Sequence, residues 1–168
     1  MTQNKLDISQ ATEALKGTRF VEALSLLELN LEKDSNHIDS LYLAAVCSRY
    51  LKNYDDSKKY IQSLLSQAPD MGRAYQELGH LNRDMGNQEN SIAHYRQACE
   101  LNPALLASWK ALYDYFRISK NKPAADHAYM QINTLQSIPS VLLYISQILN
   151  EGKLGIAEEK CREFLKKN

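Results

Sequence analysis

Ala74-Tyr75-Gln76-Glu77-Leu78-Gly79, then Ser91-Ile92-Ala93-His94-Tyr95-Arg96-Gln97-Ala98, and finally Asn102-Pro103, decide the fold of this chain. Tyr75 sets a large residue one helical turn before the small Gly79, while Ser91, Tyr95 and Ala98 fall at intervals of four and three on one stripe of a second helix. Gly86-Asn87 supplies the turn between the two helices. Pro103 closes the second, because proline has no N–H to donate and disfavours helix in the residue before it.

The same pattern returns in altered form about every 34 residues, the period of a tetratricopeptide-type helix-turn-helix repeat. Downstream, Trp109, Leu112, Tyr113 and Phe116 fill the first helix and Ala125, Tyr129 and Ile132 the second, with Lys120-Asn121-Lys122-Pro123 as the turn. Upstream, Leu41, Ala44, Ala45 and Ser48 answer the first helix, Ser57, Ile61 and Leu64 the second, and Pro69 the closing turn.

The outer units are less regular. Near the N-terminus Ala23 and Leu27 follow a turn at Gly17-Thr18, but Asp7 and Gln10 stand where large apolar groups are expected. Near the C-terminus the register slips by two, giving Val141, Tyr144, Ile145 and Ile148, a turn at Glu151-Gly152-Lys153, then Ala157, Cys161 and Phe164.

The expectation is therefore an all-α protein, a right-handed α-solenoid of about five stacked repeats. It forms a single repeat domain over 1–168, divided approximately as 4–37, 38–71, 72–105, 106–137 and 138–168. The last helix keeps Phe164 and Leu165 on an apolar stripe where the chain reaches Lys167-Asn168. A stripe left open at the end of an array predicts either a longer protein or a contact of this uncapped helix with another molecule.

Packing claims most of the distinctive side chains. Each helix pair must seat large residues such as Tyr75 or Trp109 in gaps left by Gly79, Ala44 and Ala45, since helix axes 8 to 10 Å apart, roughly, admit little more at the crossing. Gly79→Leu is expected to disrupt stacking. Tyr75, Tyr95, Tyr113, Tyr129 and Tyr144 all read as core filling, and Cys47, Cys99 and Cys161 as reduced, buried thiols of a cytoplasmic protein.

What packing leaves over defines the inner, concave wall of the superhelix. Its candidate peptide-binding residues are Tyr42, Arg49, Tyr50, Arg73, Gln76, His80, Arg83, Lys110, Asp114 and Arg117, with Leu43, Glu77 and Asp84 beside them. Five Arg or Lys side chains there meet three carboxylates, so the wall leans basic. It suits a peptide or protein segment carrying acidic groups, met by Arg through bidentate contacts and by Tyr through apolar area with a polar tip.

Other classes find little support. Twenty basic and twenty acidic side chains cancel, leaving no global field for nucleic acid or an anionic membrane. No apolar run approaches the roughly 20 residues of a membrane span. His37, His80, His94 and His127 lack a partner at metal-ligand spacing, and Asp55-Asp56 and Glu158-Glu159 are helix neighbours that do not face each other. Phosphate-binding glycine loops and a nucleophile elbow are absent from the sequence. No catalytic residue, metal or cofactor is expected, and the protein reads as a noncatalytic interaction scaffold.

The chain resembles the tetratricopeptide repeat (TPR) family over nearly its whole length, most specifically from about Ile38 to Ile132. That resemblance implies an α-solenoid used for protein recognition. Some family members clamp a C-terminal carboxylate with Lys and Asn, but here those slots carry Tyr42, Val46, Glu77, Ala107 and Ala111, so the clamp is not implied. A narrower resemblance, carried by Ser108-Trp109-Lys110-Ala111-Leu112, Ala124-Ala125-Asp126-His127-Ala128-Tyr129 and the stretch from Gly152 to Lys166, is to the N-terminal repeats of bacterial TPR-containing sulfotransferase-family proteins. It implies, as an alternative, the recognition arm of a larger enzyme.

Overall fold

The computed structural model describes residues from Thr2 to Lys166, with side chains described from Ile8 onward. Lys167 and Asn168, where the sequence reading places the break in the array, lie outside the described residues, as does the side chain of Asp7. Ten α-helices and no strand occur among the described residues: α1 (Thr2–Lys16), α2 (Phe20–Lys33), α3 (Ile38–Tyr50), α4 (Tyr54–Gln67), α5 (Gly72–Asp84), α6 (Gln88–Leu101), α7 (Leu106–Ile118), α8 (Lys122–Ser137), α9 (Ser140–Asn150) and α10 (Leu154–Leu165).

Helix starts keep the sequence period. α3, α5, α7 and α9 begin at Ile38, Gly72, Leu106 and Ser140, and α2, α4, α6 and α8 at Phe20, Tyr54, Gln88 and Lys122, each series at steady 34-residue intervals. Only α10 arrives two residues early. The expected slip is thus displaced: α9 begins on the period but has 11 residues where α3, α5 and α7 have 13, so the first helix of the last pair is shortened at its end.

Each helix pair is joined by one recurring turn. Thr18, Lys52, Gly86, Lys120 and Gly152 all take positive φ, between 57° and 80°. The residue after each donates its N–H back to the carbonyl five residues earlier, as Asn53 does to Ser48, Asn87 to Asn82 and Asn121 to Phe116. This is the left-handed helix stop in which two otherwise orphaned carbonyls are satisfied. Asn121 then caps α8 by accepting from the Ala124 N–H. The turn at Lys52-Asn53 has no glycine or proline to announce it.

The chain divides into two compact units, one of the residues up to Asp70 together with His80–Asn87, the other of Met71–Gly79 together with the residues from Gln88 on. In the first, α1 packs on α2, α2 on α3 and α3 on α4. Its core is small-residue rich, with Ala11, Ala14, Ala23, Ala44 and Cys47 around Leu27, all essentially inaccessible. Ala11 and Ala14 thereby hold α1 in place although Gln10 is exposed, which is how the first pair tolerates polar residues at its expected large positions.

In the second unit α6 packs on α7, α7 on α8 and α9 on α10. Tyr95, Cys99 and Leu112 form one core cluster with Trp109 and Phe116 packed against it, and Ile145, Ile148 and Ala157 form another. The expectation for Gly79 has a direct cause here: a Cβ at that position would stand 2.5 Å from the fully buried Tyr95 ring. Ser91 Oγ donates to the Gly79 carbonyl at 2.8 Å, and in the first unit Ser57 Oγ donates to the Ala45 carbonyl at 2.9 Å, the same contact one repeat earlier. Trp109 Nε1 donates to the Pro103 carbonyl at 2.9 Å, tying the indole to the turn before its helix.

Two sequence readings change. Tyr129 and Tyr144 are not core residues but are about half exposed, at 52% and 47%. Tyr129 lies instead beside Tyr113 at the surface, with ring centroids 5.7 Å apart, and in the shortened α9 the buried places go to Ile145 and Ile148. Cys161 is partly exposed, unlike the buried Cys47 and Cys99. His37 caps α3, its Nδ1 accepting the Ser40 N–H.

Candidate functional site

Of the candidate wall residues, the first unit gathers Arg49, Tyr50, His80 and Arg83 around one cleft of about 490 Å³, with Lys52, Tyr54 and Asp84 completing its lining. Tyr42 lies half-buried on the same helix as Arg49 and Tyr50. Arg49 and Tyr50 come from the last turn of α3, while His80, Arg83 and Asp84 come from the second half of α5. Lys52 sits on the left-handed turn residue and Tyr54 opens α4. Lys52 and Tyr54 escape the sequence reading because they belong to a turn and a second helix, outside the inward positions of first helices.

Asp84 is the electrostatic hub. Arg49 Nη1 lies 2.8 Å from its Oδ2, and Arg83 Nε and Nη2 each lie 3.2 Å from its Oδ1. The Arg49 side chain is only 7% exposed, so it is a buried, paired cation and not the freely offered arginine that the wall reading expects. Its guanidinium also covers the Tyr50 ring at 4.4 Å, and Tyr50 stacks flat on Phe20 with centroids 4.4 Å apart. Arg49 therefore builds the floor, and Arg83 and Lys52 present charge at the rim.

Burial, reinforced by Arg49 and Arg83 and partly opposed by Asp84, pushes the His80 pKa down to about 4. At neutral pH His80 is an uncharged imidazole among cations. The lining residues thus include three cations, Arg49, Lys52 and Arg83, and one carboxylate, Asp84, beside two tyrosines. Such a cleft can accept an anionic group and an apolar neighbour together.

The remaining candidates lie in the second unit and separate into two kinds. Arg73 Nη1 pairs with Glu151 Oε1 at 2.9 Å, and Lys153 Nζ with Glu151 Oε2 at 2.9 Å, around a carboxylate only 6% exposed. Gln76 Oε1 accepts from Ser108 Oγ at 3.0 Å. These two side chains hold helices together, a duty that sequence spacing does not reveal. Glu77 is buried as well. Lys110, Asp114 and Arg117 are exposed along α7, and Arg117 lines a cleft of about 310 Å³ with Lys120, Lys122 and Asp126.

Elsewhere in this unit burial lowers the His94 pKa and raises that of the Cys99 thiol to about 12, so Cys99 is an inert core thiol. No group of three or more His, Cys, Asp or Glu that could hold a metal occurs among the described residues. No described helix is long and apolar enough to cross a membrane.

The helix pairs and turns define a class, the all-α fold of tetratricopeptide-repeat solenoid proteins. Residues 72–105, the stretch with the best-formed pattern, match the tetratricopeptide repeat family. No curated protein gives a significant match to the chain. Among solved structures the chain is similar to a thermophilic TPR protein of Thermus thermophilus, with a TM-score of 0.68 at 16% identity over 97% of this chain and 90% of that one. It is similar to MamA, with a TM-score of 0.64 at 17% identity over 99% and 91% of the two chains. MamA from Desulfovibrio magneticus gives a TM-score of 0.66 at 16% identity over 80% and 76%. Likeness at this level of identity is likeness of fold.

Proposed function

We propose that the protein is a noncatalytic cytoplasmic scaffold that binds a peptide or protein segment carrying acidic groups. The observation that supports this reading is the cleft of the first unit, where Arg49 and Arg83 share the single carboxylate of Asp84 and Lys52 adds a further cation. Tyr50 and Tyr54 supply apolar area with polar tips for the flanking residues of the segment. Arg117, with Lys120 and Lys122 beside it, offers a second basic surface on the other unit. The exposed α10 helix is a further contact surface, of a different, partly apolar kind.

The test uses a fluorescent peptide array in which acidic residues are placed against neutral backgrounds, read by polarisation with the whole protein. Arg83→Glu and Lys52→Glu, both on exposed positions, are expected to weaken binding of acidic peptides about tenfold each, with steep salt dependence. Arg117→Glu reports on the second surface. Acidic peptides that bind both first-unit variants as they bind the wild type would sink the reading. The alternative, a recognition arm of a larger enzyme such as a TPR-containing sulfotransferase, rests on the sequence resemblance of the segments from Ser108 onward.

A further inference from the structure

The second unit holds a cleft of about 340 Å³ that none of the candidate wall residues lines. Trp109, Leu112 and Phe116 of α7 meet there with Arg96, Cys99 and Glu100 of α6, and His127 of α8 closes the far side. Cys99 and Leu112 are buried, whereas Trp109 and Phe116 keep part of their rings accessible. The indole is fixed in place. Its Nε1 donates to the Pro103 carbonyl at 2.9 Å, and its ring meets the His127 ring in a T-shaped contact at 5.5 Å.

Arg96 is exposed, lies with its guanidinium over the Phe116 ring at 5.3 Å, and meets no carboxylate at ion-pair distance among the described residues. Glu100 stands one turn further along α6 on the same cleft. Stacking of the repeats does not call for this combination. One period earlier the places of Arg96, Trp109, Phe116 and His127 are held by Gln62, Tyr75, Asn82 and Ala93, so only the large residue recurs. The cation, the phenyl ring and the imidazole belong to this cleft alone of the two.

We propose that this cleft is a further recognition site, which takes one aromatic side chain of a partner protein segment together with the carboxylate of an Asp or Glu next to it in that segment. Size supports the first half. The cleft lies at the lower end of the roughly 300 to 1,000 Å³ of ligand pockets, with room for one large side chain and not for a helix, and its fixed rings suit edge-to-face contact. Charge supports the second half, because the Arg96 guanidinium, backed by the Phe116 ring, has its donors left for a carboxylate. Glu100 restricts the site to a single acid at Arg96, since a second carboxylate along the segment would meet it. The inference is independent of the basic cleft of the first unit.

Trp109 is the only tryptophan of the chain, so its emission reports on the cleft directly. The whole protein is titrated into the millimolar range with an end-blocked hexapeptide of glycine and serine that carries one Phe-Asp pair, and with its Phe-Asn and Ala-Asp versions. The Phe-Asp peptide should change the emission saturably, the Phe-Asn peptide should bind about fivefold more weakly, and the Ala-Asp peptide should give no change. Arg96→Gln should weaken the Phe-Asp peptide about fivefold yet leave the Phe-Asn peptide as it is, while Glu100→Gln should tighten the Phe-Asp peptide about twofold. Circular dichroism checks that both variants keep their helices. Arg83→Glu and Lys52→Glu should alter none of these values, which separates this site from the cleft of the first unit. No saturable change, equal binding of the Phe-Asp and Phe-Asn peptides, an Arg96→Gln variant that binds like the wild type, or weakening by Glu100→Gln would each overturn the proposal. Tighter binding of N-acetylphenylalaninate than of the peptide would assign the cleft to a small carboxylate instead, and emission that shifts with protein concentration alone would assign it to a second copy. Either result also overturns the proposal.

Discussion

His80 shows how one residue can record its surroundings in the pH dependence of the whole fold. Its pKa, lowered to about 4 chiefly by burial and then by Arg49 and Arg83, means that the native state resists protonation. An unfolded histidine takes up a proton near pH 6.5, so the unfolded state binds more protons throughout the interval from about 6.5 to 4. Stability is complete above that interval and falls as pH descends through it, by up to about 3 kcal/mol from this side chain. His80→Gln keeps the polar volume and removes the titration. Urea midpoints measured from pH 7.5 to 4.5 should decline less steeply for this variant than for the wild type, and parallel curves would refute the argument. At this scale the sequence is an incomplete guide. Arg49, Tyr50, His80 and Arg83 are legible as inward residues from register alone, but Arg49 becomes a buried floor because Asp84, 35 residues away, meets it.

Among the elements, the joints repeat more faithfully than the helices they connect. Thr18, Lys52, Gly86 and Lys120 occupy the left-handed position at 34-residue intervals, and Gly152 follows after 32. The backbone asks the same conformation of all five, yet only Gly86 and Gly152 have the residue that adopts it without a Cβ penalty. Lys52→Gly and Lys120→Gly should therefore each stabilise the protein, by about 0.5 to 1 kcal/mol. Gly86→Ala and Gly152→Ala, which meet no steric neighbour, should cost about 1 kcal/mol from backbone strain alone. Thermal unfolding monitored at 222 nm distinguishes these outcomes, and a destabilised Lys52→Gly would contradict the account. The same comparison explains legibility: turns containing Gly or Pro can be read from sequence, whereas the turn at Lys52 is set by hydrogen bonding that any residue can be made to serve. Helix starts were readable because large-against-small packing repeats. In α9 the apolar pattern is a poor guide to burial, since Val141 packs on the core of Ile145 and Ile148 while Tyr144, in the same pattern, is left 47% exposed.

For the molecule as a whole, nearest-neighbour packing makes a repeat array, and contacts that leap several elements add cooperativity to it. Arg73 on α5 reaches Glu151 after α9, a separation of 78 residues within the second unit, and Lys153 meets the same carboxylate. Two cations facing one nearly buried anion make Glu151 the member whose loss is felt most, since its removal leaves like charges in a poorly solvated place. Glu151→Gln retains shape and some hydrogen bonding but abolishes the charge. It should cost about 1 to 3 kcal/mol of unfolding free energy, discounted because Arg73 and Lys153 keep partial contact with water at 29% and 26% exposure. Because the lost contact fastens the turn between α9 and α10, the loss should also be local. Native-state hydrogen exchange should show amides of α9 and α10 opening well before those of α7 and α8 in the variant, with a smaller gap in the wild type. Arg73→Gln made in the Glu151→Gln background should add little further cost, as expected of groups that act through one shared contact. Uniform acceleration of exchange across all four helices would show that the loss is global and not local, and additive costs in the double variant would show that Arg73 and Glu151 act independently.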